Sequence, residues 1–169
     1  MNAGARIARK TILAVTAFAW CMFLGGCNFE APITTSPTRK VDQRLLGEWA
    51  PKDGKGTPMT VRRLDDSVYI VFLGGDFWRV HHSDVGQSAF VSAQLLDDDE
   101  RKYGYVTWAL SEDDTQLELR NVNGGKWKES GPIPSAISKD STLVQKFLAE
   151  NLQNPNLFEA ETLQFTKAK

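Results

Sequence analysis

The middle of the chain consists of short apolar runs separated by polar turns. Six runs follow one another at roughly 8–12-residue spacing: TPMTVRRL, VYIVFLGG, FWRVHHSDV, SAFVSAQLL, YGYVTWALS and QLELRNVN. Apolar and polar residues alternate in most of them, which is typical of β-strands because successive side chains point to opposite faces. The turns are too short for the crossovers that parallel strands need, so the pattern predicts an antiparallel meander.

The pattern changes to a helical spacing near the C-terminus. Five apolar residues of the segment DSTLVQKFLAENL fall on one helix face: Leu143, Val144, Phe147, Leu148 and Leu152. Asp140 or Ser141 can cap this helix, and Pro155 ends it. Because a face of large side chains must be buried, we expect the helix to pack on the inner face of the sheet, across or into an open end.

Two further strands complete the predicted fold. One lies near Trp49, and the other is the final run NLFEAETLQFTKA. Eight strands in meander order favour closure, since a closed barrel has no exposed sheet edge. We therefore predict a mainly β domain, an antiparallel up-and-down barrel with one amphipathic helix before the last strand.

A short motif relates this barrel to a known class. The stretch LLGEWA, with Gly47 and Trp49, resembles the G-x-W element in the first strand of lipocalins and other calycins. The resemblance implies a small lipocalin-like barrel whose bottom is closed by the tryptophan. The chain departs from lipocalins in that its helix precedes the last strand and no larger cavity-forming loop follows the first strand.

The N-terminal residues are unlike the rest of the chain. Three basic residues, Arg6, Arg9 and Lys10, precede fourteen mostly apolar ones, residues 11–24. This apolar run is shorter than the roughly 20 residues that span a bilayer. It has the length of the apolar core of a secretory signal peptide.

The next residues, Leu24-Gly25-Gly26-Cys27, resemble the lipobox of bacterial lipoproteins. The resemblance implies that Cys27 carries diacylglycerol on its sulfur, that the chain is cut after Gly26, and that lipid holds the mature protein at a membrane. Asn28 stands where an aspartate would retain an enteric-type lipoprotein at the inner membrane, which favours the outer membrane and a domain facing the periplasm. The alternative is an ordinary secretory signal or an uncleaved anchor, with Cys27 an incidental thiol.

The composition of the mature chain excludes some classes of function. Three of the 20 Lys and Arg residues and none of the 21 Asp and Glu residues lie in residues 1–26, so 17 basic and 21 acidic residues remain, a net charge of −4. This balance gives no basis for nucleic-acid binding. The resemblance implies that Cys21 is removed with the signal peptide and that Cys27 is blocked by lipid, so no disulfide is expected. We divide the chain into a signal peptide (1–26), a lipidated cysteine with a flexible tether (27–40) and a single barrel-like domain (41–169).

The sequence contains no pattern that supports catalysis or metal binding. His81 and His82, the only histidines, would point to opposite faces of a strand, so they cannot ligate one metal; Asp84 could at most join His82. The acidic run lacks the ligand spacing and central glycine of a calcium loop and is interpreted as a solvated turn: Asp97, Asp98, Asp99 and Glu100. We predict no cofactor, no metal and no enzymatic activity.

The aromatic residues are the remaining candidates for a site. Four are weak candidates for ligand contact: Trp78, Tyr103, Tyr105 and Trp127. Aromatic side chains near the mouth of a barrel can stack on apolar ligands, although core packing is their commoner role. The favoured function is a non-catalytic binding module for a small apolar ligand or an envelope partner. The alternative is a structural or assembly factor of the envelope whose barrel is filled by its own side chains.

Overall fold

The structure, a computed structural model, describes residues 29–96, 102–123 and 137–168. A 3₁₀ turn, Gln43–Leu45, precedes the first strand. The strands are β1 (Gly47–Pro51), β2 (Met59–Arg63), β3 (Val68–Leu73), β4 (Asp76–His82), β5 (Val91–Leu95), β6 (Tyr103–Leu110), β7 (Gln116–Val122) and β8 (Phe158–Lys167). Helix α1 (Ser141–Asn151) lies between β7 and β8. Among the described residues, no helix is long and apolar enough to cross a membrane.

The strands form a closed antiparallel barrel in sequence order. Each strand pairs with the next, and β8 also pairs with β1 through partners such as Trp49 and Lys167. A register shift between Arg120 and Val122 interrupts the β7–β8 ladder. The predicted eight-stranded up-and-down barrel, with a helix before the last strand, is therefore confirmed.

Alternation along the strands separates an inner and an outer face. The largest buried side chains of the inner cluster come from six strands: Trp49, Met59, Tyr69, Trp78, Leu117 and Phe165. On β3, the inward residues Tyr69 and Val71 alternate with the outward residues Ile70 and Phe72. The inward side chains thus form the larger of the two apolar clusters, and their burial stabilises the barrel.

Trp49 packs against the 3₁₀ turn at one end of the barrel. Its side chain is fully buried, and its indole N–H donates to the Leu45 carbonyl at 2.9 Å. The Lys167 ammonium lies 5.2 Å from the Trp49 ring centroid and donates to the Arg44 carbonyl at 2.6 Å. Gly47 has φ +137°, a conformation that favours glycine, and a Cβ there would lie 3.3 Å from Lys167 Cε. Both residues of the G-x-W motif therefore have a local structural role.

Helix α1 packs on the outside of the barrel. Val144 and Leu148 are fully buried in a second apolar cluster with the outward-facing Tyr103 and Tyr105 of β6. The prediction that the helix covers the inner face is wrong, because large side chains already fill much of that face. The predicted five-residue face is also wrong at Leu143, which is 43% exposed. Asp140 caps the helix through the backbone N–H groups of its first turn.

Residues 29–34 belong to the folded domain. Phe29 and Ile33 are buried in the same outer cluster as helix α1, and the Ile33 N–H donates to Ser92 Oγ at 2.9 Å. The prediction of a flexible tether at residues 27–40 is therefore wrong for 29–34. The physical reason is that two large apolar side chains in a polar segment find an apolar outer wall on which to pack.

Candidate ligand cavity in the barrel

The barrel contains a partly open apolar cavity of about 60 Å³. Its wall includes Met59, Val71, Trp78, Val80, Trp108 and Leu119. Ala93 and Gly104, a directly paired couple on β5 and β6, also line it. Alanine and glycine occupy less of the barrel interior than the large side chains around them, so this pair leaves room in the cavity wall.

The structure separates the sequence-predicted aromatic candidates. Trp78 and Tyr105 contribute to the cavity wall. The Tyr105 ring, however, stacks on Phe29 at 3.9 Å between centroids, and its hydroxyl donates to the Ala31 carbonyl on the outside of the barrel. Tyr103 belongs to the outer cluster and does not line the cavity.

Burial raises the pKa of the Tyr105 hydroxyl far above its ordinary value. This group therefore acts only as a neutral hydrogen-bond donor. Trp127, Cys27 and the acidic residues 97–100 lie outside the described residues.

Sequence reasoning missed an aromatic cluster beside the cavity. Tyr69, His82 and Trp108 meet edge to face, with centroid distances of 5.2 Å for Tyr69–Trp108 and 5.4 Å for His82–Trp108. Part of the signal was present, because alternation places Trp108 on the strand face opposite to Tyr103 and Tyr105. What alternation cannot give is the strand pairing that brings the three rings together.

His82 is the polar member of this cluster. The Tyr69 hydroxyl accepts from the Asp42 backbone N–H at 2.6 Å and lies 3.0 Å from His82 Nε2, to which it can donate its own proton. The other ring nitrogen, Nδ1, is a buried atom with no hydrogen-bond partner among the described residues. Burial lowers the pKa of His82 below its ordinary 6.5, so the ring is neutral near pH 7.

The two histidines point to opposite sides of the barrel wall, as predicted. His81 faces outward, and its Nε2 lies 3.1 Å from the Thr34 carbonyl. Asp84 does not join His82, because its carboxylate forms an ion pair with Arg39 at 2.7 Å. In the described parts of the chain, no group of three or more His, Cys, Asp or Glu side chains is arranged to hold a metal ion.

The arrangement is suited to holding an apolar group, with aromatic and aliphatic walls and a neutral polar cluster at one side. Comparison with protein-family models, with curated proteins and with solved structures finds no match to this chain. The fold of the chain defines its class: a closed eight-stranded antiparallel barrel with an externally packed helix.

Proposed function

We propose that the protein is a lipid-anchored, non-catalytic binding module of the bacterial cell envelope that takes a small apolar ligand in its barrel. The observation that carries this proposal is the apolar cavity between Trp78 and Trp108. A dry apolar void gains affinity for an apolar guest, because the guest supplies the dispersion contacts that the walls lack.

The volume of the cavity limits the ligand. Ligand pockets for drug-sized molecules enclose about 300–1,000 Å³, whereas this cavity encloses about 60 Å³. An apolar void of roughly 150 Å³ holds benzene. The proposed ligand is therefore a guest of only a few carbon atoms, or one end of an acyl chain.

The proposed anchor is the diacylglycerol on Cys27. Its support is the sequence pattern of a basic segment, a short apolar run and Leu24-Gly25-Gly26-Cys27. Two or more acyl chains are needed for stable anchoring. Replacing Cys27 by serine should move the protein from the membrane fraction and prevent the mass increase of the mature N-terminal peptide; membrane retention at unaltered mass would contradict the anchor.

A filling substitution tests the cavity. Ala93→Val adds two carbon atoms to the inner wall, and we expect it to abolish binding of xenon, measured as chemical-shift changes of cavity methyl groups. Ala109 is an exposed alanine of β6, so Ala109→Val is the matched control and should bind like the parent. Equal gas binding by the parent and Ala93→Val, both folded, would refute the cavity as the site.

The second candidate is a structural or assembly factor of the envelope with a filled barrel. It is favoured by the small volume of the cavity and by the large inward side chains around it. Organic extraction of the purified protein followed by mass spectrometry separates the two. A copurified apolar compound supports the binding module, whereas a clean extract together with no xenon binding supports the structural role.

A further inference from the structure

Three exposed apolar side chains form a patch on the outside of the barrel. Phe72, Phe77 and Leu96, hereafter the apolar patch, are 36%, 47% and 44% exposed. Phe72 and Phe77 face each other across β3 and β4, with ring centroids 4.9 Å apart. The Leu96 N–H donates to the Phe77 carbonyl at 2.9 Å, which places the third side chain beside the second.

The apolar patch lies at the end of the barrel where the described chain begins. The Phe29 carbonyl accepts from the N–H of Tyr103, the first residue of β6. Tyr103 pairs with Gln94, two residues before Leu96. With strands about 4.8 Å apart and a rise of about 3.3 Å per residue, the Leu96 backbone is roughly 12 Å from Phe29.

Cys27 precedes Phe29 by two residues, which span at most about 7 Å. A lipid on Cys27 would therefore be attached close to the apolar patch. We propose that this patch docks on the surface of the bilayer that holds the anchor and so fixes the orientation of the barrel. This inference rests on the proposed lipid anchor.

A bilayer suits the patch better than a protein partner does. Three partly exposed side chains present on the order of 200–300 Å², whereas a stable protein interface buries about 1,200–2,000 Å². A small patch is sufficient when an anchor already holds it at the surface, because tethering makes the second contact intramolecular. Four acidic residues, 97–100, follow Leu96 in the sequence, so zwitterionic lipid should be preferred over anionic lipid.

Leu64 provides the matched control for this orientation. It is 55% exposed and follows β2, at the opposite end of the barrel from the β3–β4 turn. In the docked orientation Leu64 faces away from the membrane, although it is as apolar and as exposed as Leu96.

The test uses the full chain, processed by a lipoprotein-forming host and reconstituted in phosphatidylcholine vesicles. Leu96→Cys and Leu64→Cys are each labelled with the same environment-sensitive fluorophore, and brominated lipid serves as the quencher. Flotation of the vesicles and the mass of the N-terminal peptide report the anchor independently. We expect quenching several times stronger at position 96 than at position 64, and a loss of that difference in Phe72→Ser/Phe77→Ser. Weaker quenching in vesicles with phosphatidylglycerol would agree with the acidic sequence.

The outcomes separate the two proposals. Flotation with equal quenching at both positions overturns the docking and leaves the anchor standing. Absence of flotation and of added mass overturns the anchor and the docking with it. A quenching difference that persists in the double serine variant overturns the role of the phenylalanines.

Discussion

Replacing Ile33 by alanine tests whether the segment before the barrel is part of the folded domain. The Ile33 side chain is 0% exposed and belongs to the outer apolar cluster. Alanine removes three carbon atoms, and at about 0.8 kcal/mol each the lost transfer free energy is about 2.5 kcal/mol. The cavity left behind adds to this, so we expect the free energy of unfolding to fall by about 3 kcal/mol.

Urea unfolding of the mature chain carrying Cys27→Ser, monitored by tryptophan fluorescence, measures this decrease in the free energy of unfolding. The melting temperature should fall by about 10 °C, with little change in the denaturant slope. Thr35→Ala, at an exposed position two residues later, is the control and should stay within about 0.5 kcal/mol of the parent. If Ile33→Ala also stayed within that range, residues 29–34 would be a detachable tether and the outer cluster would not need them.

The other predictions concern helix α1 and the histidines. Leu148→Ala should lower the free energy of unfolding by about 2–5 kcal/mol, whereas Leu143→Ala, at a 43% exposed position on the same helix, should change it little; equal losses would mean that the helix does not present this face to the barrel. Burial lowers the pKa of both His81 and His82 below 6.5, so the folded state keeps them neutral while the unfolded state takes up protons. Their contribution is therefore fully present above pH 6.5 and is lost as the pH falls toward the folded pKa, with a slope of at most about 1.4 kcal/mol per pH unit for each histidine. His82→Gln should reduce this slope in urea titrations between pH 7 and 5, and an unchanged slope would refute a role for His82.

The strands and their order could be predicted because each carries its own signal. Adjacent strand residues point to opposite faces, so the run FWRVHHSDV predicts His81 and His82 on opposite sides of the sheet. The structure confirms this, with His81 outside and His82 inside the barrel. Closure also followed from the sequence, since eight short strands joined by short turns leave two edges that pairing of β1 with β8 removes. These features depend on local pattern and on general rules of sheets.

The outer cluster could not be predicted, because its pieces are far apart in sequence. Phe29 and Ile33 stand in a stretch of prolines and threonines that has no periodicity, and periodicity was the signal used elsewhere. The inward and outward faces of β6 are both apolar, with Tyr105 on one and Val106 on the other, so the pattern did not say which face the helix would cover. The cavity is equally non-local, because it depends on Ala93 and Gly104 being paired across two strands.

The path of the N-terminal segment decides how an anchor would act. The described part of the chain begins with Phe29 beside Tyr103 at one end of the barrel, and at the other end the Val41 N–H donates to the Asp66 carbonyl. Phe29, Ile33 and Thr34 are buried against the wall in this stretch, and in the sequence only Asn28 separates Cys27 from Phe29. A lipid on Cys27 would therefore fix the orientation of the barrel at the membrane instead of acting as a flexible tether. It follows that detaching residues 29–34 from the barrel wall should separate membrane attachment from the orientation of the barrel. In lipidated protein, a variant that frees residues 29–34 while the barrel stays folded should keep its flotation but lose the difference in quenching between positions 96 and 64.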